Sequence, residues 1–268
     1  MQTLTLKTEK ILAHSDNDGL GWITFNNPAR HNALSLEMWQ GLADALDALE
    51  RNTRVRAVIL RGAGGKAFVS GADISEFDEQ RSSSTQKAHY GAIAGRANRA
   101  LSSFSKPLIA MIQGYCIGGG LATALAADIR FATPESRFGI PAAKLGLGYD
   151  YPGIARLASL VGSANSSDIL FSARLLSSEE ALRIGLINFC GDAEVLENQV
   201  REYARGIAAN APLTVRAAKA ALRAYDRGGR KEEIAEVQQR VDACFDSADY
   251  KEGRKAFQQK RLPQFRGE

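Results

Sequence analysis

The chain of 268 residues has only three histidines and three cysteines. His14, His31 and His89 never approach an H-x-x-x-H or H-E-x-x-H spacing, so a histidine-based metal centre is not expected. Cys116, Cys190 and Cys244 lie far apart with no C-x-x-C pair, which argues against a disulfide framework or a thiolate zinc site. Also missing are a long linker, a low-complexity tract and a repeat. The N-terminal MQTLTLKTEK carries no apolar core of a signal peptide and no Arg/Ser-rich amphipathic stretch, so a cytoplasmic location is expected. Charge is nearly balanced at +4, and no Lys/Arg run is interleaved with aromatics. Nucleic acid is therefore not an expected partner, whereas a small phosphorylated ligand would suit the modest concentration of basic residues after Arg216.

Hydrophobic residues make up 45% and charged residues 24%, as in an ordinary globular chain. One window, Pro107 to Ala127, is uncharged for 21 residues and long enough to span a bilayer. Gln113 and the run Gly118-Gly119-Gly120 interrupt it. A buried strand, a tight turn and a buried helix are expected there, and no membrane partner. Segments 20–25 and 55–60 read as strands, and Ser35 reads as the cap of an amphipathic helix carrying Met38, Leu42, Ala45, Leu46 and Leu49. Further strands are expected at 107–112 and 128–133 and a helix at 119–127, with a polar stretch at Gln80–Gln86. This alternation is that of an α/β domain with largely parallel strands. From about Pro152 the pattern turns helical, with helices expected at 177–185, 193–209, 212–226, 230–246 and 249–260. Residues 1–195 are expected to form the α/β core and 196–268 a C-terminal helical region.

Phosphate-loop readings fail in context. Gly62-Ala63-Gly64-Gly65-Lys66-Ala67 leads into another extended segment, not a helix, and Lys66 is not followed by Ser or Thr. No G-x-S-x-G elbow is present. Two other glycine turns carry more chemistry. Gly118-Gly119-Gly120 lies between a strand and a helix, and Ser70-Gly71-Ala72-Asp73 follows an extended segment. Backbone N–H groups of both turns, aimed at one point, would form an oxyanion hole; ordinary tight turns with close helix–strand packing are the alternative.

The segments NPARHNALS (27–35), AFVSGADISEF (67–77), KPLIAMIQGYCIGGGLATALAADIRFAT (106–133) and FGIPAAKLGLG (138–148) resemble the crotonase family of enoyl-CoA hydratases and isomerases. The resemblance continues through APLTVRAAKAAL (211–222) and AFQQKRLPQF (256–265). It implies a spiral core of ββα units with C-terminal helices used in trimerisation, as a homotrimer or a hexamer built as a dimer of trimers. It implies an acyl-CoA substrate, with coenzyme A entering as part of that substrate and no separate cofactor. The oxyanion amides implied are those of Ala72 and Gly119. Arg30, Asn32, Ala33, Ala67, Ala72, Asp73 and Ile74 match the CoA-binding loops. Phe257 and Lys260 resemble residues that approach the CoA nucleotide from a neighbouring subunit, a packed aromatic and a solvated lysine being the alternative.

The chain departs from the family pattern at both acids. Ala122 stands where the hydratases carry a glutamate after the glycine turn, and Ala142 where they carry one in FGxPE. Alanine can neither give nor take a proton, so two-glutamate hydration is not expected. Asp150, in Tyr149-Asp150-Tyr151, is the remaining candidate acid. The surrounding segment resembles the chlorobenzoyl-CoA dehalogenases, where an aspartate is the nucleophile, and the dihydroxynaphthoyl-CoA synthases. A helix N-cap is the alternative for Asp150, since Pro152 and Gly153 follow it. Asp73 and Glu76 read as structural partners of the turn amides.

Overall fold

A computed structural model describes residues 1–73 and 84–268. Ile74, Glu76 and Gln80 to Ser83, at the start of the expected polar stretch, lie outside the described residues.

Short runs rich in β-branched and aromatic residues form the strands. The first sheet has seven, in the order β1-β2-β3-β4-β6-β8-β11. These are β1 (Gln2–Leu4), β2 (Ile11–Ser15), β3 (Leu20–Phe25), β4 (Ala57–Gly62), β6 (Leu108–Ile112), β8 (Ile129–Ala132) and β11 (Phe189–Cys190). From β3 onward every pairing is parallel, whereas β1–β2 and β2–β3 are antiparallel. The second sheet has the order β10-β9-β7-β5. It is built from β5 (Ala67–Val69), β7 (Tyr115–Ile117), β9 (Arg137–Gly139) and β10 (Leu176–Ser177). The expected α/β architecture is present, with β1, β2, β7, β9, β10 and β11 added to the strands and the extended segment expected from the sequence.

Helix α1 (Leu36–Arg51) starts where Ser35 Oγ accepts the Met38 N–H, and its Met38, Leu42, Ala45, Leu46 and Leu49 are buried as the periodicity requires. It packs on α2 (Ser84–Ser103). Helix α3 (Gly119–Ala126) is buried. After α4 (Tyr151–Ser167), α5 (Ser178–Arg183) opens with a full capping box between Ser177 and Glu180. The chain ends with α6 (Ala193–Ala208), α7 (Pro212–Asp226), α8 (Lys231–Asp246) and α9 (Ala248–Gln258). The division expected at 195/196 falls inside α6. That helix lays Leu196, Val200 and Ala204 against Trp22, Ile59 and Phe131 on the first sheet. Burying a Leu or Val side chain contributes about 1.5–3 kcal/mol. The part-exposed pairs of Arg201 with Asp16 and Arg205 with Asp18 add at most about 1 kcal/mol each, so apolar burial holds α6 in place.

Two lysines are buried beneath the helical region. Lys106 is 1% exposed, and its Nζ donates to the carbonyls of Leu49 and Asn52 at 2.6 and 2.7 Å. It thereby satisfies acceptors at the negative end of α1. Burial, with Arg216 nearby, pushes its ammonium down to about 8. The unfolded lysine holds its proton to about 10.5. Between those values the unfolded chain binds more protons than the folded one, so stability should rise with pH across that window. Urea unfolding from pH 7.5 to 10.5 should show this rise, and Lys106→Met should diminish it. An unchanged slope would show that burial does not perturb Lys106.

Candidate active site

The first turn follows β5. Ser70 N–H donates to His31 O at 3.1 Å, Leu34 N–H to Gly71 O at 2.8 Å, and Asp73 N–H to Leu34 O at 3.0 Å. Those bonds form a parallel bridge between Leu34 and Ala72. The Ala72 N–H takes no part in it, and among the described residues it donates no backbone hydrogen bond.

The second turn follows β7. Gly118 adopts φ 53°, ψ −117°, a conformation that L side chains rarely reach, and its N–H donates to Gly139 O at 2.8 Å. The chain then enters α3 at Gly119, whose N–H is one of the orphan donors of the helix start and donates no backbone hydrogen bond among the described residues. A Cβ built on Gly119 would lie 3.8 Å from the Ala72 nitrogen and 4.0 Å from Leu34 Cδ1. The two unpaired amides are neighbours, and Leu34 supplies an apolar wall beside them that the sequence reading did not single out. The α3 macrodipole adds partial positive charge at the same point. Such a place favours an oxygen that acquires negative charge during reaction.

Asn32 holds the neighbouring loop in shape. It is fully buried in a left-handed conformation, φ 56°. Its Oδ1 accepts the Asn27 N–H at 2.8 Å, and its Nδ2 donates to Ala63 O at 3.0 Å and Ala67 O at 2.8 Å. Its side chain is thereby committed to tying loop 27–35 to loop 63–67. Nearby, Arg30 is exposed at the end of a short 3₁₀ turn, Ala33 and Asp73 are half-buried, and Ala67 is buried.

Ala122 lies one turn into α3, half-buried, its N–H donating to Gly118 O at 3.0 Å. Ala142 is buried in the 3₁₀ turn Pro141–Leu145 and belongs to the main apolar core. Neither brings polar chemistry to the site. Asp150 occupies the N-cap position of α4 with extended backbone, is exposed, and makes no side-chain cap hydrogen bond. Its neighbour Tyr149 packs against the core, and burial, with Asp150 adjacent, pushes its phenol up to about 12. Tyr149 is thus a wall and not an acid at neutral pH. Cys116 is fully buried, and burial pushes its thiol up, away from thiolate chemistry. Phe257 and Lys260 are exposed at the end of α9. Among the described residues neither makes a hydrogen bond or ion pair with the Gly71 or Gly118 turns.

The mixed α/β fold, with the Ala72 and Gly119 turns side by side, is that of crotonase-class structures. The enoyl-CoA hydratase/isomerase family model matches residues 15–268, and the chain belongs to that family. It is 35% identical to the short-chain-enoyl-CoA hydratase of Clostridium acetobutylicum, over 89% of this chain and 91% of that protein. It is 33% identical to the crotonyl-CoA hydratase of Syntrophomonas wolfei, over 92% and 94% respectively. A crystal structure of an enoyl-CoA hydratase/carnithine racemase from Magnetospirillum magneticum superposes with a TM-score of 0.91 at 35% identity, covering 98% of this chain and 97% of that one. None of the described helices is long and apolar enough to cross a membrane.

Proposed function

We propose that the chain binds an acyl-CoA thioester with its carbonyl oxygen between the Ala72 and Gly119 N–H groups, and stabilises the enolate-type anion formed there. The observation that carries this reading is the placement of two unpaired amides side by side, the Gly119 Cβ direction ending 3.8 Å from the Ala72 nitrogen. Relatives named as acyl-CoA hydratases support the substrate class. Each such donor is typically worth about 2.7–4 kcal/mol of transition-state stabilisation. With alanine at positions 122 and 142, proton transfer needs another group. Asp150 is the carboxylate assigned to it, in a lyase or isomerase reaction with coenzyme A carried by the substrate. Arg30 and the loop shaped by Asn32 face the nucleotide in this reading, with Ala33, Ala67 and Asp73 around it. Phe257 and Lys260 of a second copy in a trimer or hexamer complete that end.

A second reading makes Asp150 the nucleophile of a hydrolase or dehalogenase, and a third leaves an acyl-CoA-binding protein without turnover. Because Asp150 makes no cap hydrogen bond, Asp150→Ala should change unfolding stability by less than about 1 kcal/mol. It should nevertheless lower turnover about 10²-fold or more. A mass-spectrometric screen of acyl-CoA thioesters against both proteins reads this directly. Equal conversion by the two would remove Asp150 from the chemistry. Trapping of an acyl-aspartyl adduct would establish the nucleophile reading, and tight CoA binding with no conversion of any thioester the third.

A further inference from the structure

A second polar concavity lies away from the oxyanion turns. Arg216, Lys219, Arg223 and Arg227 follow one another at intervals of three and four residues, so they form one stripe along and just beyond α7. That stripe, together with Arg240 of α8 and serines at the end of α2, lines a cavity of about 270 Å³. Two carboxylates, Glu233 and Glu236, share the wall. Glu233 Oε1 is held by Arg230 at 2.6 Å and Arg227 at 3.5 Å, while its Oε2 is buried with no hydrogen-bond partner among the described residues. Lys219 is 7% exposed, and its Nζ donates to Asp128 Oδ2 and Lys106 O, both at 2.6 Å. Arg216, Arg223 and Arg240 make no ion pair among the described residues.

The charges are held at a cost. Burial is the main cause that pushes Lys219 down to about 8, with Arg223 adding to it. Burial likewise lowers Arg223, with Arg227 and Arg156 contributing. Lys219 and Arg227 have carboxylate partners in Asp128 and Glu233, whereas Arg216, Arg223 and Arg240 have none among the described residues, and those three guanidiniums are stabilised by a ligand that supplies several negative oxygens at once.

We infer that this groove is a binding site for a small polyanion bearing a diphosphate group, separate from the thioester site. Separation follows from topology. Asp128, which Lys219 grips, lies just past the C-terminal end of α3, whereas Gly119 is its first residue. The two sites therefore sit about 12 Å or more apart, at opposite ends of one helix. Guanidinium forks of Arg216 and Arg223 from one wall and Arg240 from the other match diphosphate oxygens in a bidentate manner.

Calorimetric titration of inorganic pyrophosphate into the full chain at saturating CoA tests this. One pyrophosphate should bind per chain with CoA present, and more weakly as salt is raised. Arg216→Gln with Arg223→Gln should weaken it about tenfold or more, with unfolding midpoint and thioester conversion retained. Arg240→Gln, at an exposed position on the facing wall, should weaken it independently even if the double variant folds poorly. Tighter binding of ADP than of pyrophosphate assigns the site to a nucleotide, and weaker binding to free diphosphate. Abolition of the pyrophosphate signal by CoA, or wild-type binding by Arg240→Gln and the double variant, would overturn the site. So would loss of a larger assembly in the variants without any change in pyrophosphate affinity, since the groove would then hold a second copy.

Discussion

Gly119→Pro is expected to fold and to lose about 10²–10³-fold in thioester turnover. Gly119 is the first residue of α3, a position where proline's fixed φ suits the helix and its missing N–H breaks no helical bond. Space is also available, since the nearest atoms to a Cβ there are 3.8–4.0 Å away, ordinary contact distance. What the substitution removes is the N–H of a residue whose Cβ direction ends 3.8 Å from the Ala72 nitrogen. Stability and catalysis therefore separate at this one residue. Urea unfolding should place the variant within about 1 kcal/mol of the wild type, while kcat falls by the value of one oxyanion donor. A variant that folds and turns over normally would show that Gly119 donates to nothing in the transition state.

The next residue behaves in the opposite way. A Cβ on Gly120 would sit 2.1 Å from Val69 O and 2.8 Å from Val69 C and Cβ. Backbone atoms of β5 cannot step aside, so α3 has to move off the second sheet. Helix propensity alone favours alanine over glycine by about 1 kcal/mol. Overpacking of this kind typically costs 1–3 kcal/mol and occasionally more, so the clash wins. Gly120→Ala is expected to lower the unfolding free energy by about 3 kcal/mol or more and to displace both amide turns, since Val69 and Gly71 belong to one continuous segment. Gly119→Ala, one residue earlier, should be close to neutral for stability. Equal stability of the two alanine variants in urea would refute this description of the helix–strand contact.

Much of this arrangement was legible in the chain. Ser35, the α1 stripe from Met38 to Leu49 and the helix expected from residue 177 are local signals, and local signals were realised in place. The uncharged window 107–127 resolved into β6, β7 and α3 because Gln113 and the glycines interrupt it. Strands β10 and β11 were not legible. Each has two residues and exists only because β9 or β8 offers an edge. Asn32 shows the same limit at the site. Its match to a CoA-binding loop could be read from sequence, but its full burial could not. The acceptors it satisfies, Ala63 O and Ala67 O, are more than thirty residues away. The basic residues after Arg216 were visible as a concentration, yet only the packing of α7 against α8 turns their stripe into one wall of a cavity. The close approach of Ala72 and Gly119 likewise depends on the parallel pairing of β5 with β7, which sets the two turns side by side.

The most direct test follows the thioester carbonyl itself. Infrared difference spectra of an acyl-CoA labelled with ¹³C at the carbonyl, bound to wild-type protein, should show the carbonyl band at lower frequency than in water. Two converging N–H donors polarise that bond. In Gly119→Pro, bound to saturation, the band should return part of the way toward its solution position. A carbonyl band at the solution frequency in the wild type, or an equal displacement in Gly119→Pro, would contradict the oxyanion assignment of Ala72 and Gly119.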